Sequence, residues 1–307
     1  MNFRTIIRLL MPCFLLLLPA VLTAEKEPKV WLVNSDARVE KYKIAQEEFK
    51  RTFARPVFEV NLNEKRWDIT AVEEALYDES PNLVYCIGSK AYLVANKFAA
   101  EKPVVFSSII NWQRLPLTKK TYGVSNELPS EMQLTLFRYV FPQVKKIGIV
   151  YSEQYNKQWF EKTREEARKM GVEIIGKTVS KNTDFLPSVK VLLSNIDAVW
   201  LISDPLIISD KKMLTEVFKA CDNKKVPVFT YQDVFTEYGA VLIISVDDAT
   251  IGRQSARMSI ELLAGGKIEE QVQYPAGSHI ILNLKKAKEF GLPYNEQALG
   301  VINQIVK

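Results

Sequence analysis

Lys29-Val30-Trp31-Leu32-Val33-Asn34-Ser35 and Lys146-Ile147-Gly148-Ile149-Val150-Tyr151-Ser152 read as one strand written twice. Each is a short, mostly apolar run with β-branched residues inside it and a hydroxyl at its end. A charged stretch of helical period follows each, Val39 to Phe53 and Lys157 to Met170. Runs of this kind alternating with amphipathic helices are the pattern of βα units in parallel sheets. The pairing continues outward. A second strand follows each helix, Val57 to Asn61 and Glu173 to Thr178, and a third repeats as Leu83 to Ser89 against Ala198 to Asp204. The fourth repeats as Lys102 to Ser107 against Val226 to Thr230, with Pro103 and Pro227 at the same place in each. The offsets between first residues, 117, 115 and 124, drift only by the length of a loop. Any two α/β domains share a hydrophobicity pattern, but the common strand order favours a real structural repeat. The expected fold is α/β, two Rossmann-like doubly wound lobes with a ligand cleft between them.

Helix signals mark the rest. Leu128-Pro129-Ser130-Glu131 opens a helix that runs to Phe141, before Pro142. Thr183-Asp184 offers a cap for a helix around Val189 to Leu193, and Asp247-Asp248 precedes a helix from Ile251 to Leu263 that stops at Gly265-Gly266. Two short strands, Gln271 to Tyr274 and Ile280 to Asn283, and a helix from Leu284 to Phe290 complete the chain.

The first residues read as a sorting label. Arg4 and Arg8 precede an apolar run from Leu9 to Leu22, and Leu22-Thr23-Ala24 offers a cleavage site, so residues 1–24 are expected to be a signal peptide. A retained anchor is the alternative, but the run is short of the roughly 20 residues that span a bilayer and contains Pro12 and Pro19. Cys13, inside the run, is badly placed for a lipoprotein. Removing 24 of 307 residues leaves 283, enough for two domains. The net charge of +5 includes Arg4 and Arg8, which leaves +3 and no footing for nucleic-acid binding. Cys86 falls in a strand-like run and Cys221 in a helical one, which favours two buried free thiols over a disulfide. With one histidine, the chain lacks the ligands of an ordinary zinc site, and no metal or cofactor is expected.

In an open parallel sheet the ligand sits beyond the carboxyl ends of the strands. In the first half those ends deliver Ser35 and Asp36, Gly88 and Ser89, and Ser107 and Ser108. In the second they deliver Tyr151, Ser203 with Asp204, and Tyr231 with Gln232; Asp247 stands at a helix start. These groups are rich in hydroxyls and poor in charge, which suits hydrogen-bonding recognition of a small polar molecule. Ser89 and Ser107 at helix starts suit a carboxylate and Asp204 or Asp247 an ammonium, a set that fits an α-amino acid. The same Ser and Asp residues could simply cap the next helix. Trp112, Tyr155, Trp159 and Tyr231 lie near the same edge and suit an apolar ligand group, with core packing the stronger reading for Trp159.

Catalysis has little support. Gly-x-Gly-x-x-Gly, P-loop, Gly-x-Ser-x-Gly and His-Glu-x-x-His motifs are missing. His279 opens a late strand, where a structural role is expected, and Asp247-Asp248 at a helix start is explained by the macrodipole.

Several landmarks resemble the ABC transporter substrate-binding family that includes tryptophan-type and related amino-acid receptors of the type I periplasmic-binding-protein fold. They are Pro103-Val104-Val105-Phe106, Gly123-Val124-Ser125, Leu128-Pro129-x-Glu131-x-Gln133-Leu134, and Pro142 followed by Lys146 to Tyr151. Val226-Pro227-Val228-Phe229, Asp247 with Ile251-Gly252-Arg253-Gln254, and Ile281-Leu282-Asn283-Leu284-Lys285-x-Ala287 complete the set. The resemblance implies lobe 1 from 25–124 plus 248–276 and lobe 2 from 125–247 plus 277–307. The chain would cross between them near Gly123 to Asn126, Ser245 to Asp248 and Tyr274 to Ser278. It further implies an exported, periplasmic, monomeric protein, soluble after cleavage, that closes on a small ligand and hands it to a membrane permease. A membrane sensor as partner and a periplasmic enzyme on the same scaffold are the alternatives. An amino acid is the expected ligand, with sugars and nucleosides open. Two loops depart from the family pattern, Ser107 to Trp112 and Ser152 to Tyr155, and both are expected at the cleft.

Overall fold

Strands buried along their whole length need cover on both faces, and the described part of the chain, residues 28–208 and 210–307 of a computed structural model, meets that need twice. The expected signal peptide lies outside the described residues. Within them no helix is long and apolar enough to cross a membrane. The first half runs β1 (Val30–Asn34), α1 (Glu40–Phe53), β2 (Phe58–Asn61), α2 (Ile69–Glu79), β3 (Leu83–Ile87), α3 (Ser89–Ala95), β4 (Val104–Ile109) and β5 (Thr121–Ser125). The second runs α4 (Ser130–Val140), β6 (Lys146–Tyr151), α5 (Glu153–Lys169), β7 (Glu173–Thr178), α6 (Phe185–Leu192), β8 (Ala198–Trp200), α7 (Lys211–Lys224), β9 (Val228–Thr230) and β10 (Leu242–Val246). Then come α8 (Asp248–Leu263), β11 (Val272–Gln273), β12 (Ser278–Asn283), α9 (Leu284–Glu289) and β13 (Gln304–Val306).

One sheet is ordered β2-β1-β3-β4-β5-β11 and parallel throughout; the other begins β7-β6-β8-β9-β10 and ends on β12 and β13. The doubly wound order 2-1-3-4-5 therefore occurs in both lobes, and only the second adds an antiparallel strand, β12 against β10. The repeat visible over four strands in the sequence extends to a fifth, β5 and β10.

The chain passes between the sheets three times: after β5, after β10 and between β11 and β12. The second passage is the informative one. Helix α8 follows a strand of the second sheet yet packs on α1 and behind β4 and β5 of the first. Its Ile251, Ala256 and Met258 complete a core with Val30, Leu32, Phe49 and Tyr85. The approach of α8 to α1 is set by Gly252, where a Cβ would stand 2.3 Å from the Ala45 carbonyl oxygen. Arg253, one residue on, reaches the Glu48 carboxylate of α1 at 3.1 Å.

Several elements differ from the sequence expectation: β8 stops at Trp200 short of Asp204, α8 begins at Asp248 rather than Ile251, and α5, α6 and β4 differ as well. Helix α5 begins at Glu153, because Ser152 is held at its start rather than in a loop. Helix α6 begins at Phe185 and tolerates Pro187 in its first turn; Asp184 stands before it without a capping bond. Ser107 lies inside β4 instead of starting a helix.

The start of α8 carries a charge cluster. Asp247 caps it, accepting from the Ala249 N–H at 3.0 Å. Burial, with Asp233 and Asp247 nearby, pushes the Asp248 carboxyl from 3.8 up to about 6 against the pull of Lys41. Its Oδ1 is buried without a hydrogen-bond partner.

Gly252→Ala is expected to force α8 off α1 and to lower stability by about 2–3 kcal/mol, read by chemical denaturation. Asp248 has a raised folded-state pKa, so the folded protein holds that proton more tightly than the unfolded chain. Stability is then lost as pH rises through the interval from 3.8 to about 6. Asp248→Asn is expected to raise the unfolding midpoint at pH 7.5 and to leave it near wild type at pH 4. Equal gains at both pH values would refute this assignment.

Candidate functional site

All three passages between the sheets contribute to the wall of one cavity of about 300 Å³: Asn126 and Glu127 from the first, Val246 from the second and Tyr274 from the third. The first lobe adds Asn111, Gln113 and Arg114 from the loop after β4. The second adds Gln133 of α4, Tyr155, Asn156 and Trp159 of α5, Trp200 and Ile202, Ser203, Tyr231 and Ile244. The volume is at the low end of that needed by a small organic ligand.

A buried carboxylate positions much of the second-lobe wall. Asp204 is 0% exposed and accepts four hydrogen bonds, from the Ser152 N–H at 2.8 Å, the Ser152 hydroxyl at 2.7 Å, the Asn156 amide at 2.7 Å and the Leu206 N–H at 3.0 Å. Two of these come from the residue before α5 and one from its first turn, so the charge sits where the helix dipole favours it. With α5 pinned there, Tyr155 and Trp159 are aimed at the cavity. Trp159 packs edge-on to Trp200 at 5.3 Å, and Trp200 packs edge-on to Phe137 at 4.9 Å. Trp159 therefore both packs on the core and lines the site.

Two contacts join the loop after β4 to the far wall of the cavity. The Arg114 guanidinium stands 4.2 Å from the centre of the Tyr155 ring, and the Asn111 amide donates to the Ser203 carbonyl at 3.4 Å. The loop that carries both first-lobe residues departs from ordinary backbone: Ser108 and Asn111 have φ of 59° and 55°, left-handed values that non-glycine residues seldom adopt.

The interior is polar at one place. Glu127 accepts the Asn111 N–H at 2.9 Å, and burial lifts its carboxyl above the usual range against that hydrogen bond. Burial likewise raises the Tyr231 hydroxyl, with Ser203 opposing and the charges of Glu127 and Asp204 adding to the rise.

Of the strand-end residues read from the sequence, the structure brings Ser203 and Tyr231 to the cavity. The others are placed as follows. Ser35 accepts the Ala91 N–H at 3.0 Å and so caps α3. Asp36 is paired with Arg38 at 2.8 Å, which holds its carboxyl at about 2. Gly88, at φ 83°, makes the turn into α3, and Ser89 is exposed as its first residue. Ser107 is fully buried on the Tyr85 hydroxyl at 2.7 Å, and Ser108 is buried without a partner. Tyr151, expected at the cleft, is in the core instead, stacked on Phe160 at 4.1 Å. Asp204, expected to meet an ammonium, is saturated by its own lobe. Gln232 precedes a short 3-10 turn, and Asp247 caps α8 while accepting from Thr250 at 2.5 Å. Trp112 packs against the first-lobe core. Cys86 and Cys221 are free, buried and in different lobes.

Sequence reasoning missed Asn126, Glu127 and Gln133. It applied the strand-end rule and looked past the passage itself, although an Asn-Glu pair straight after a strand expected to cross was the available signal.

Comparison with known proteins agrees with this architecture. The chain is similar to an ABC domain from Streptococcus pneumonia solved in complex with L-Trp, with a TM-score of 0.63, 20% identity, and 91% of this chain and 99% of that one covered. It is also similar to a substrate binding protein with adhesive properties from Clostridium difficile, in its ligand-free, open form, with a TM-score of 0.72, 16% identity, and 90% and 98% covered. These likenesses establish the fold, two doubly wound lobes of the type I periplasmic-binding-protein kind. By sequence it is 21% identical over 207 residues to a tyrosine-binding protein of Clostridioides difficile (strain R20291), a match covering 64% of this chain and 59% of that protein. Residues 40–306 match the family described as ABC transporter substrate binding protein, and the chain belongs to that family.

Proposed function

We propose that the protein is an exported, monomeric receptor that captures an aromatic amino acid between its lobes, without turnover, and presents it to the membrane permease of an ABC transporter. The observation that carries this reading is the wall of the cavity, where Tyr155, Trp159, Trp200, Tyr231 and Tyr274 come together at the passages between the lobes. Rings of this kind bury a flat apolar group and give it offset-stacked and edge-on partners. Support comes from the relatives named for tyrosine and solved with L-Trp.

In this reading the lobes are residues 25–124 plus 248–276 and residues 125–247 plus 277–307, and they move as rigid bodies about the three passages. A ligand that touches Arg114 and Asn111 on one side and Tyr155, Ser203 and Tyr231 on the other binds the closed form better than the open one. Closure then follows as a shift in population. Arg114, with no ion pair among the described residues, offers a positive charge to the ligand's carboxylate at the mouth.

Thermal unfolding of the purified protein, refolded from denaturant to strip carried-over ligand, tests this against amino acids, sugars, nucleosides and organic acids. A ligand at about 100 times its dissociation constant adds roughly 2.7 kcal/mol, a rise of several degrees. The expected result is a rise confined to tryptophan, tyrosine and phenylalanine. A rise with sugars or nucleosides alone would replace this reading.

A further inference from the structure

Among the described residues lining the cavity, buried side-chain oxygens are left without hydrogen-bond partners. The Glu127 carboxylate has no lysine or arginine within ion-pair distance among the described residues; its protein hydrogen bond is the Asn111 N–H. Asn126 and Gln133, which line the same cavity, each keep a buried side-chain oxygen unpartnered. The Gln133 amide is oriented by its donation to the Leu128 carbonyl at 3.1 Å, which leaves its oxygen as the free end. A carboxylate taken out of water is costly unless a cation meets it, and buried acceptors are costly unless a donor meets them. The cations on this wall stand elsewhere: Arg114 is spread over Tyr155, and Lys162 lies 3.7 Å from Glu166 along α5.

We infer that Glu127, assisted by the side-chain oxygens of Asn126 and Gln133, is the receptor for a primary ammonium group on the ligand. The inference rests on the aromatic-ligand reading above and adds which end of the ligand is recognised and by what. An ammonium group carries three donors, no acceptor and one positive charge, which is the complement of one carboxylate and two amide oxygens. A neutral hydroxyl would leave the carboxylate uncompensated, and a second carboxylate would be repelled. The site therefore selects aromatic amines, amino acids included, over aromatic acids of the same size. The placement of Glu127 also differs from the strand-end position where the sequence suggested an acid for this role, Asp204, whose lone pairs are already taken by Ser152, Asn156 and Leu206.

Calorimetric titration of the stripped protein decides the matter with six probes at pH 7.5: L-tryptophan, L-tyrosine, tryptamine, tyramine, indole-3-propionate and 3-(4-hydroxyphenyl)propionate. At least one amine-bearing probe is expected to bind about 100-fold more tightly than its deaminated counterpart. Glu127→Gln is expected to erase most of that preference while changing the affinity of the deaminated acid by less than about 3-fold. Equal binding of an amine-bearing probe and its deaminated counterpart by the wild-type protein would overturn the ammonium site and leave the aromatic cavity standing. So would a Glu127→Gln protein that unfolds like wild type and keeps the full preference. If none of the six probes binds, the aromatic-ligand reading and this inference fall together. Should Glu127→Gln not fold, the wild-type series alone decides.

Discussion

The close approach of α8 to α1 is the constraint on which the two-lobed arrangement depends. The strand before α8 and the strand after β11 both belong to the second sheet, so segment 248–276 stays with the first lobe through its own contacts, α8 on α1 and β11 on β5. Gly252 against the Ala45 carbonyl lets the helix axes come near enough for Ile251, Ala256 and Met258 to reach the core beneath β1 and β3. Once α8 is held there, the chain must enter and leave the first lobe along one edge. The three passages then lie together beside the cavity they help to line.

Two buried polar arrangements divide the work around that cavity. Asp204 spends its lone pairs on Ser152, Asn156 and Leu206 and so fixes where α5 begins. Glu127 spends little on the protein and is left facing the site. A saturated carboxylate builds a wall, whereas an unsaturated one waits for a partner, and the two lie near enough that both raise the hydroxyl of Tyr231.

Much of the fold was legible because β-branched runs and their offsets are local features. The matched strands of the two lobes could be aligned by eye, and the boundaries of β7 were read without error. The site was less legible for a physical reason. Whether a strand-end Ser or Asp faces outward or caps the next helix depends on which backbone donors lie within reach, and that is fixed only in the folded chain. Ser35 went to a cap, Asp204 to Ser152 and Asn156 of the earlier helix α5, Ser107 to the Tyr85 hydroxyl and Tyr151 to a stack on Phe160. Ser203 and Tyr231 were left for the cavity. Glu127 escaped notice because it lies on a connection, where charged residues are ordinarily assigned to solvent.

The contacts between Arg114 and Tyr155 and between Asn111 and Ser203 carry an energetic consequence for the proposed closure. One is a cation over a ring at a partly open edge and the other is a long hydrogen bond, so together they amount to about 1–2 kcal/mol. A bias of that size gives the empty protein no firm commitment to either shape. On the proposed reading, a few contacts from a small ligand would suffice to tip that balance towards the closed form. If the protein delivers its ligand as proposed, release needs only a partner that favours the parted lobes by a comparable amount.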